Sequence, residues 1–225
     1  MPPSKVEVDR ETFSIVVLGN FNPVIFQPLW FSNNNLLPLE ETTAAEDVTI
    51  GRQIAFFRIG GMQIQVDPAR MCLTTLESPL VPVLRDLTEG VLLLLEHTPI
   101  TSMGLNLDAI FRVETNEAWH EIGHRLVPKN EWSRIFSQPG MMGVQVRGTR
   151  PDCTADAMNA RVEPTPPNGI VLAMNQHYDL GKDEKSTVRE RHAEALRILR
   201  EDWLPFLTFA RTAADEILSP QGNPS

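Results

Sequence analysis

The octapeptide GNFNPVIF, residues 19–26, returns in altered form as GLNLDAIF, residues 104–111. Each begins with Gly and ends with Ile-Phe. Shortly after the first comes LWFSNNNLLP, with Trp30 near its start and Leu36-Leu37 before Pro38. Shortly after the second comes AWHEIGHRLVP, with Trp119 and Leu126-Val127 before Pro128. One gapped position aligns the two. The later segments of the two halves are also alike in order. Val48–Glu77 contains period-2 patches, VTIGRQIAFFRI, MQIQVD and MCLTTLE, separated by the turn signals Gly60-Gly61 and DPAR, the pattern of a strand meander. MMGVQVRGTR, ADAMNARVEP and GIVLAMNQHYDL form a second meander, broken by PTPPNG. A helical pattern closes each half. Val83, Leu84, Leu87, Val91, Leu94 and Leu95 share one face of a helix over Leu80–Glu96, with Ser78 as its N-cap and Pro82 in or near its first turn. Ser186–Leu218 is the second, with a kink or split expected at Pro205.

This order implies a tandem duplication of a strand–helix–meander–helix unit. The fold expected is α+β: a largely antiparallel sheet of about eight strands, with the long helices on one face. FSIVVLGNF opens the first half and SMGLNLDAIFRV the second. No polar linker separates them near residue 98, so one pseudo-duplicated domain over 1–225 is expected, with half one at 12–97, half two at 98–218 and a disordered tail at 219–225.

Hydrophobic residues make up 42% of the 225, enough for a real core and too many for a disordered chain. The net charge of −9 is poorly suited to coating nucleic acid, which needs clustered cations to displace counterions. Cys72 and Cys153 alone make neither a disulfide framework nor a zinc ribbon and read as reduced thiols. MPPSKVEVDRET lacks an apolar signal region, and GVLLLLEHTPI is too short to span a bilayer, so a soluble cytoplasmic protein without membrane contact is expected.

The sharpest chemical motif is His120-Glu121-Ile122-Gly123-His124, an H-E-x-x-H match. In a zinc hydrolase, two His one helical turn apart bind the metal, and the Glu between them acts as general base on the bound water. His120 and His124 would then be ligands and Glu121 catalytic. Such a match arises by chance in roughly 1% of chains of this composition. Its context is unfavourable. A catalytic zinc needs a third protein ligand. Arg125-Leu126-Val127-Pro128 supplies none, Glu131 is too near, Glu163 lies in an expected strand, and nothing in the spacing singles out His177 or Asp179. Trp119, Ile122, Gly123 and Leu126 make an apolar stripe that the two His flank, where boundary polar residues sit. Gly123 would permit close backbone approach.

Other signals are weaker. His177, Tyr178 and Asp179 form a polar strand end. Ser102, Ser133 and Ser137 lack a nucleophile-elbow context, and no Gly-rich phosphate loop occurs. RERHAEALRILRED reads as a charged helix face over Leu196 and Leu199, and WLPFLTFA as core or a dimer surface.

IFQPLWF together with AWHEIGHRL resembles a sporadically distributed, uncharacterised bacterial protein family, over most of the chain. The resemblance implies a bacterial protein and no activity. No complete catalytic set is visible in the sequence, so the reading is a non-catalytic binding or assembly protein, needing no cofactor and holding a protein partner or a second copy of itself. The alternatives are a zinc-dependent hydrolase using His120, Glu121 and His124, and a small-molecule or nucleotide binder.

Overall fold

The computed structural model describes residues 6–150 and 152–219. The chain starts in β1 (Val6–Gly19), crosses α1 (Pro28–Asn33) and α2 (Leu39–Thr43), and makes a meander of β2 (Glu46–Ile50), β3 (Ala55–Ile59), β4 (Met62–Asp67) and β5 (Arg70–Thr75) before α3 (Val81–Leu94). It then repeats the order: β6 (Ile100–Val113), α4 (Asn116–Leu126), β7 (Val144–Gly148), β8 (Ala157–Thr165), β9 (Gly169–Asp179), and a long helical segment. That segment is α5 (Val188–Arg197) and α6 (Trp203–Leu218), joined by a π-turn at Ile198–Asp202.

All strands join one antiparallel sheet in the order β2-β3-β4-β5-β1-β6-β9-β8-β7. Outward from the centre the two halves read β1-β5-β4-β3-β2 and β6-β9-β8-β7, alike in order apart from the extra edge strand β2. They meet where β1 runs antiparallel to β6, from Val6 opposite Val113 to Gly19 opposite Ile100. The fold is thus α+β, as the pattern implied, with nine strands rather than about eight. The ninth arises inside VTIGRQIAFFRI. The Gly51 N–H donates to the Ile54 carbonyl at 2.8 Å, and this tight turn folds β2 back on β3.

Side-chain alternation explains how the layers form. Phe13, Ile15 and Val17 of β1 lie opposite Leu107, Leu105 and Met103 of β6. Those in turn face Met174, Gln176 and Tyr178 of β9. This face carries the buried side chains of both halves, and α3, α5 and α6 pack on it in one hydrophobic cluster. Trp203, Phe206, Leu207 and Ala210 are buried there, so the inward face of WLPFLTFA is core, while Leu204 stays exposed.

The element order holds better than the octapeptide match. GLNLDAIF lies wholly within β6, whereas GNFNPVIF begins at the last residue of β1 and runs on through a 3-10 turn at Pro23–Ile25. Its residues continue past the sheet because Pro23 cannot donate to a ladder. The segment between β1 and the meander holds that turn, α1 and α2. Ser78 does not cap α3. It opens a separate 3-10 turn, and Leu80 precedes α3 without a side-chain cap. Pro82 does fall in the first turn. Pro205 acts one turn upstream of itself. With no N–H for the Glu201 carbonyl and a ring that crowds it, Pro205 favours the wider turn that ends at Asp202. The tail expected at 219–225 lies, Ser219 apart, outside the described residues. Cys72 and Cys153 are free thiols. No helix among the described residues is long and apolar enough to cross a membrane.

Candidate functional site

The H-E-x-x-H segment is helical and occupies α4. The Thr115 hydroxyl accepts from the Ala118 N–H at 3.2 Å, capping the first turn, and Glu117 there and Arg125 in the last turn suit the helix dipole. Three contacts hold α4 against the body. Ile122 is buried. The Trp119 indole Nε1–H donates to the Gly169 carbonyl at the start of β9, at 2.7 Å. The Arg125 guanidinium donates to the Ile217 carbonyl near the end of α6. Pro128 then stops the helix.

His120, Glu121 and His124 are exposed. The His120 ring lies 5.0 Å from the Trp119 ring and 6.4 Å from the His124 ring, centroid to centroid. Both imidazoles line a cleft of about 380 Å³ between α4 and residues 138–141, lined also by Lys129, Pro164 and Ile170, and Glu121 does not line it. Among the described residues, no group of three or more His, Cys, Asp or Glu side chains is placed to hold a metal ion. Among the described residues the two imidazoles have no convergent third donor of the kind a catalytic zinc uses. His177 pairs in register with Gly104 and Ala157 in mid-sheet. Glu163 is salt-bridged to Arg161 at 2.5 Å. The Asp179 carboxylate accepts from the Gly181 N–H at 2.9 Å. A Cβ built on Gly123 meets nothing within 4 Å, so no backbone approaches there; the open space belongs to the cleft.

One feature beside the cleft is not evident from the sequence. Between α4 and β8 the chain exposes Trp132, Ile135, Phe136, Met142 and Val146, with Ile135 at 72% and Met142 at 93% of full exposure. The Trp132 and Phe136 rings stack at 6.5 Å. β7 comes next as an edge strand, with one side unpaired within the sheet. A signal is present, since WSRIF and PGMMGV lack regular periodicity, but apolar letters alone do not reveal which of them remain uncovered.

The Tyr178 hydroxyl does not reach solvent. It donates to Asp202 Oδ2 at 2.9 Å and accepts from Gln176 Nε2. Burial pushes this hydroxyl well above its ordinary titration range, and Asp202 adds to the effect. Gln176 Oε1 accepts from Arg150 at 2.8 Å, and Arg150 also forks onto Asp152 and lies 4.0 Å over the Phe209 ring. Arg197 ties Asp202 to Glu194 and Glu201. This chain of contacts pins β9 to the π-turn and α6. Its hydroxyl is engaged on both sides, which suits a structural joint.

The solvent face of the sheet is polar. Asn159 donates to Asn175 at 2.9 Å and Asn175 to Asn106 at 2.8 Å, a ladder across β8, β9 and β6. Beside it a hollow of about 410 Å³ is lined by Asp108, Arg147 and Arg161. Asp108 is exposed, but partial desolvation by the neighbouring strands still raises its carboxyl above its ordinary 3.8, and Arg161 only partly offsets this. A raised carboxyl favours the folded state when protonated and opposes it when charged. Asp108→Asn is therefore expected to melt higher than the parent at pH 7. The advantage should shrink as pH falls through the ordinary aspartate range and the parent carboxyl takes up its proton. Melting curves from pH 7 to pH 3 check this.

The chain matches no protein-family model, and no curated protein matches it.

Proposed function

We propose that this chain is a non-catalytic binding protein, a subunit or partner in a bacterial protein complex, that holds a polypeptide through residues 132–146 and the outer edge of β7. The observation that carries this reading is the run of exposed apolar side chains from Trp132 to Val146. Contiguous uncovered apolar surface is costly in water and marks interaction sites. Aromatic and Met side chains are also the types enriched at the centres of interfaces. Charge narrows the partner. In a chain of net charge −9, residues 132–148 carry Arg134 and Arg147 and no Asp or Glu. That local excess of cations suits an acidic partner with apolar anchors. The unpaired edge of β7 offers main-chain hydrogen bonds to an extended segment.

The matching outward order of the two half-sheets supports a tandem duplication as the origin of this scaffold. The second half would have diverged by lengthening the connection between α4 and β7 into the contact surface.

The test is partner recovery from cells of the source organism, with the tagged full-length chain beside its Ile135→Ser/Phe136→Ser/Met142→Ser variant. These side chains are exposed, so the variant is expected to melt within about 1 °C of the parent, as surface changes usually do. A protein recovered in stoichiometric amount by the parent should be lost from the variant. Equal recovery by both would refute the assignment of this surface.

A further inference from the structure

Among the described residues, two buried side-chain nitrogens lack a hydrogen-bond partner, His192 Nδ1 and Lys129 Nζ. They differ in kind. The His192 ring is already bonded through Nε2 to the Thr98 carbonyl at 2.8 Å, and a neutral imidazole can leave its other nitrogen bare at modest cost. Lys129 carries an ammonium with three donors and no acceptor. Leaving that group covered and unpaired is expensive, and a buried charge is ordinarily matched by an opposite one. Lys129 lines the α4 cleft, and so do His120 and His124, while no Asp or Glu lines it. In a chain with 29 acidic residues, this cleft, which bears an unsatisfied ammonium, has no carboxylate among its lining residues. The missing negative charge is one a ligand would bring.

The rest of the cleft says what that ligand looks like. Trp119, Ile122, Met141 and Ile170 give it apolar walls, and the space over Gly123 is open. The indole N–H is already committed to the Gly169 carbonyl, so Trp119 presents ring surface. A volume of about 380 Å³ falls within the range of small-molecule sites. Mostly apolar walls with a few polar groups at one place are the usual lining of such sites.

We propose that the α4 cleft binds a medium-chain carboxylic acid, its alkyl chain against Trp119, Ile122 and Met141 and its carboxylate on Lys129. The flexible lysine stem lets the ammonium turn from its covered position to meet the carboxylate. The cleft so read shares residues 138–141 with the 132–146 stretch but not its exposed Ile135, Phe136 and Met142, and separate substitutions test the two.

Calorimetric titration of the full-length protein with sodium octanoate, and with octan-1-ol as the uncharged counterpart, tests it. Octanoate should bind at one site per chain, at least tenfold tighter than octanol, since a charge-assisted hydrogen bond contributes about that factor. Lys129→Met should weaken octanoate at least tenfold and erase its preference over octanol. The same variant should melt no lower than the parent without ligand, because it removes an unpaired buried charge. Gly123→Phe, which fills the open space, should abolish both bindings. Ile135→Ser/Phe136→Ser should leave both unchanged. The proposal fails if octanoate binds no better than octanol, if Lys129→Met is indifferent to the carboxylate, or if that variant melts lower. It also fails if N-acetyl-leucyl-leucine binds where octanoate does not, which would make the cleft a receptor for a chain terminus.

Discussion

Trp203→Ala is expected to destabilise the protein by roughly 3–5 kcal/mol, the range for truncating a large buried aromatic. Trp203 opens α6 and is fully buried. Its indole N–H donates to the Val81 carbonyl at the start of α3, at 3.3 Å. Its ring lies 6.2 Å from Phe206. It therefore joins the closing helix of one half to the closing helix of the other, over the sheet they share. Truncation leaves a cavity that helices on both sides hold open, and an acceptor without its donor. Urea unfolding should show a lower midpoint with the slope against denaturant unchanged. Trp203→Phe should recover the larger part of the loss. A loss below about 1 kcal/mol would mean that the two halves do not depend on one core.

Arg150→Ala is expected to cost roughly 2–3 kcal/mol, through a different mechanism. The Arg150 side chain is 7% exposed, and Asp152, its ion-pair partner, is largely in solvent. The loss therefore comes less from the ion pair than from Gln176, whose buried side-chain oxygen would have no donor. Packing against Phe209 is lost as well. Arg150→Lys should restore less than half, because an ammonium cannot fork onto Asp152 and reach Gln176 together. Full recovery with Lys would show that charge alone matters there. Thermal melting of the three proteins distinguishes these outcomes.

Much of the fold is legible in the sequence because its elements carry strong periodicity. In GIVLAMNQHYDL an apolar run, Ile170–Met174, follows the breaker PTPPNG, and β9 runs from Gly169 to Asp179 with burial that alternates residue by residue. NEAWHEIGHRL is flanked by Thr115 and a proline, and α4 spans it from Asn116 to Leu126. The ninth strand is hidden because nothing in GRQI marks a turn strongly; only the Gly51–Ile54 bond reveals it. The π-turn is half legible, since Pro205 announces a disturbance without saying where the chain will absorb it. The octapeptide match misleads at the level of residues. Gly and Ile-Phe recur in a strand of one half and in a loop of the other.

The candidate site is less legible, for a physical reason. His120, Glu121 and His124 spell a motif, but chemistry depends on which side chains converge from distant segments. Lys129 draws no notice in the sequence, because a lysine after a helix-ending proline is ordinarily solvated. Its lack of a partner is a property of the packed molecule. Likewise Trp132, Ile135, Phe136 and Met142 are ordinary apolar letters until the fold leaves them uncovered.

The α4 side of the molecule is thus proposed to bind and not to catalyse. Equilibrium dialysis of the full-length protein against zinc, with His120→Ala alongside, is the decisive experiment. The parent should hold no stoichiometric zinc, and the two proteins should not differ. One zinc per chain in the parent, lost in His120→Ala, would overturn the proposal.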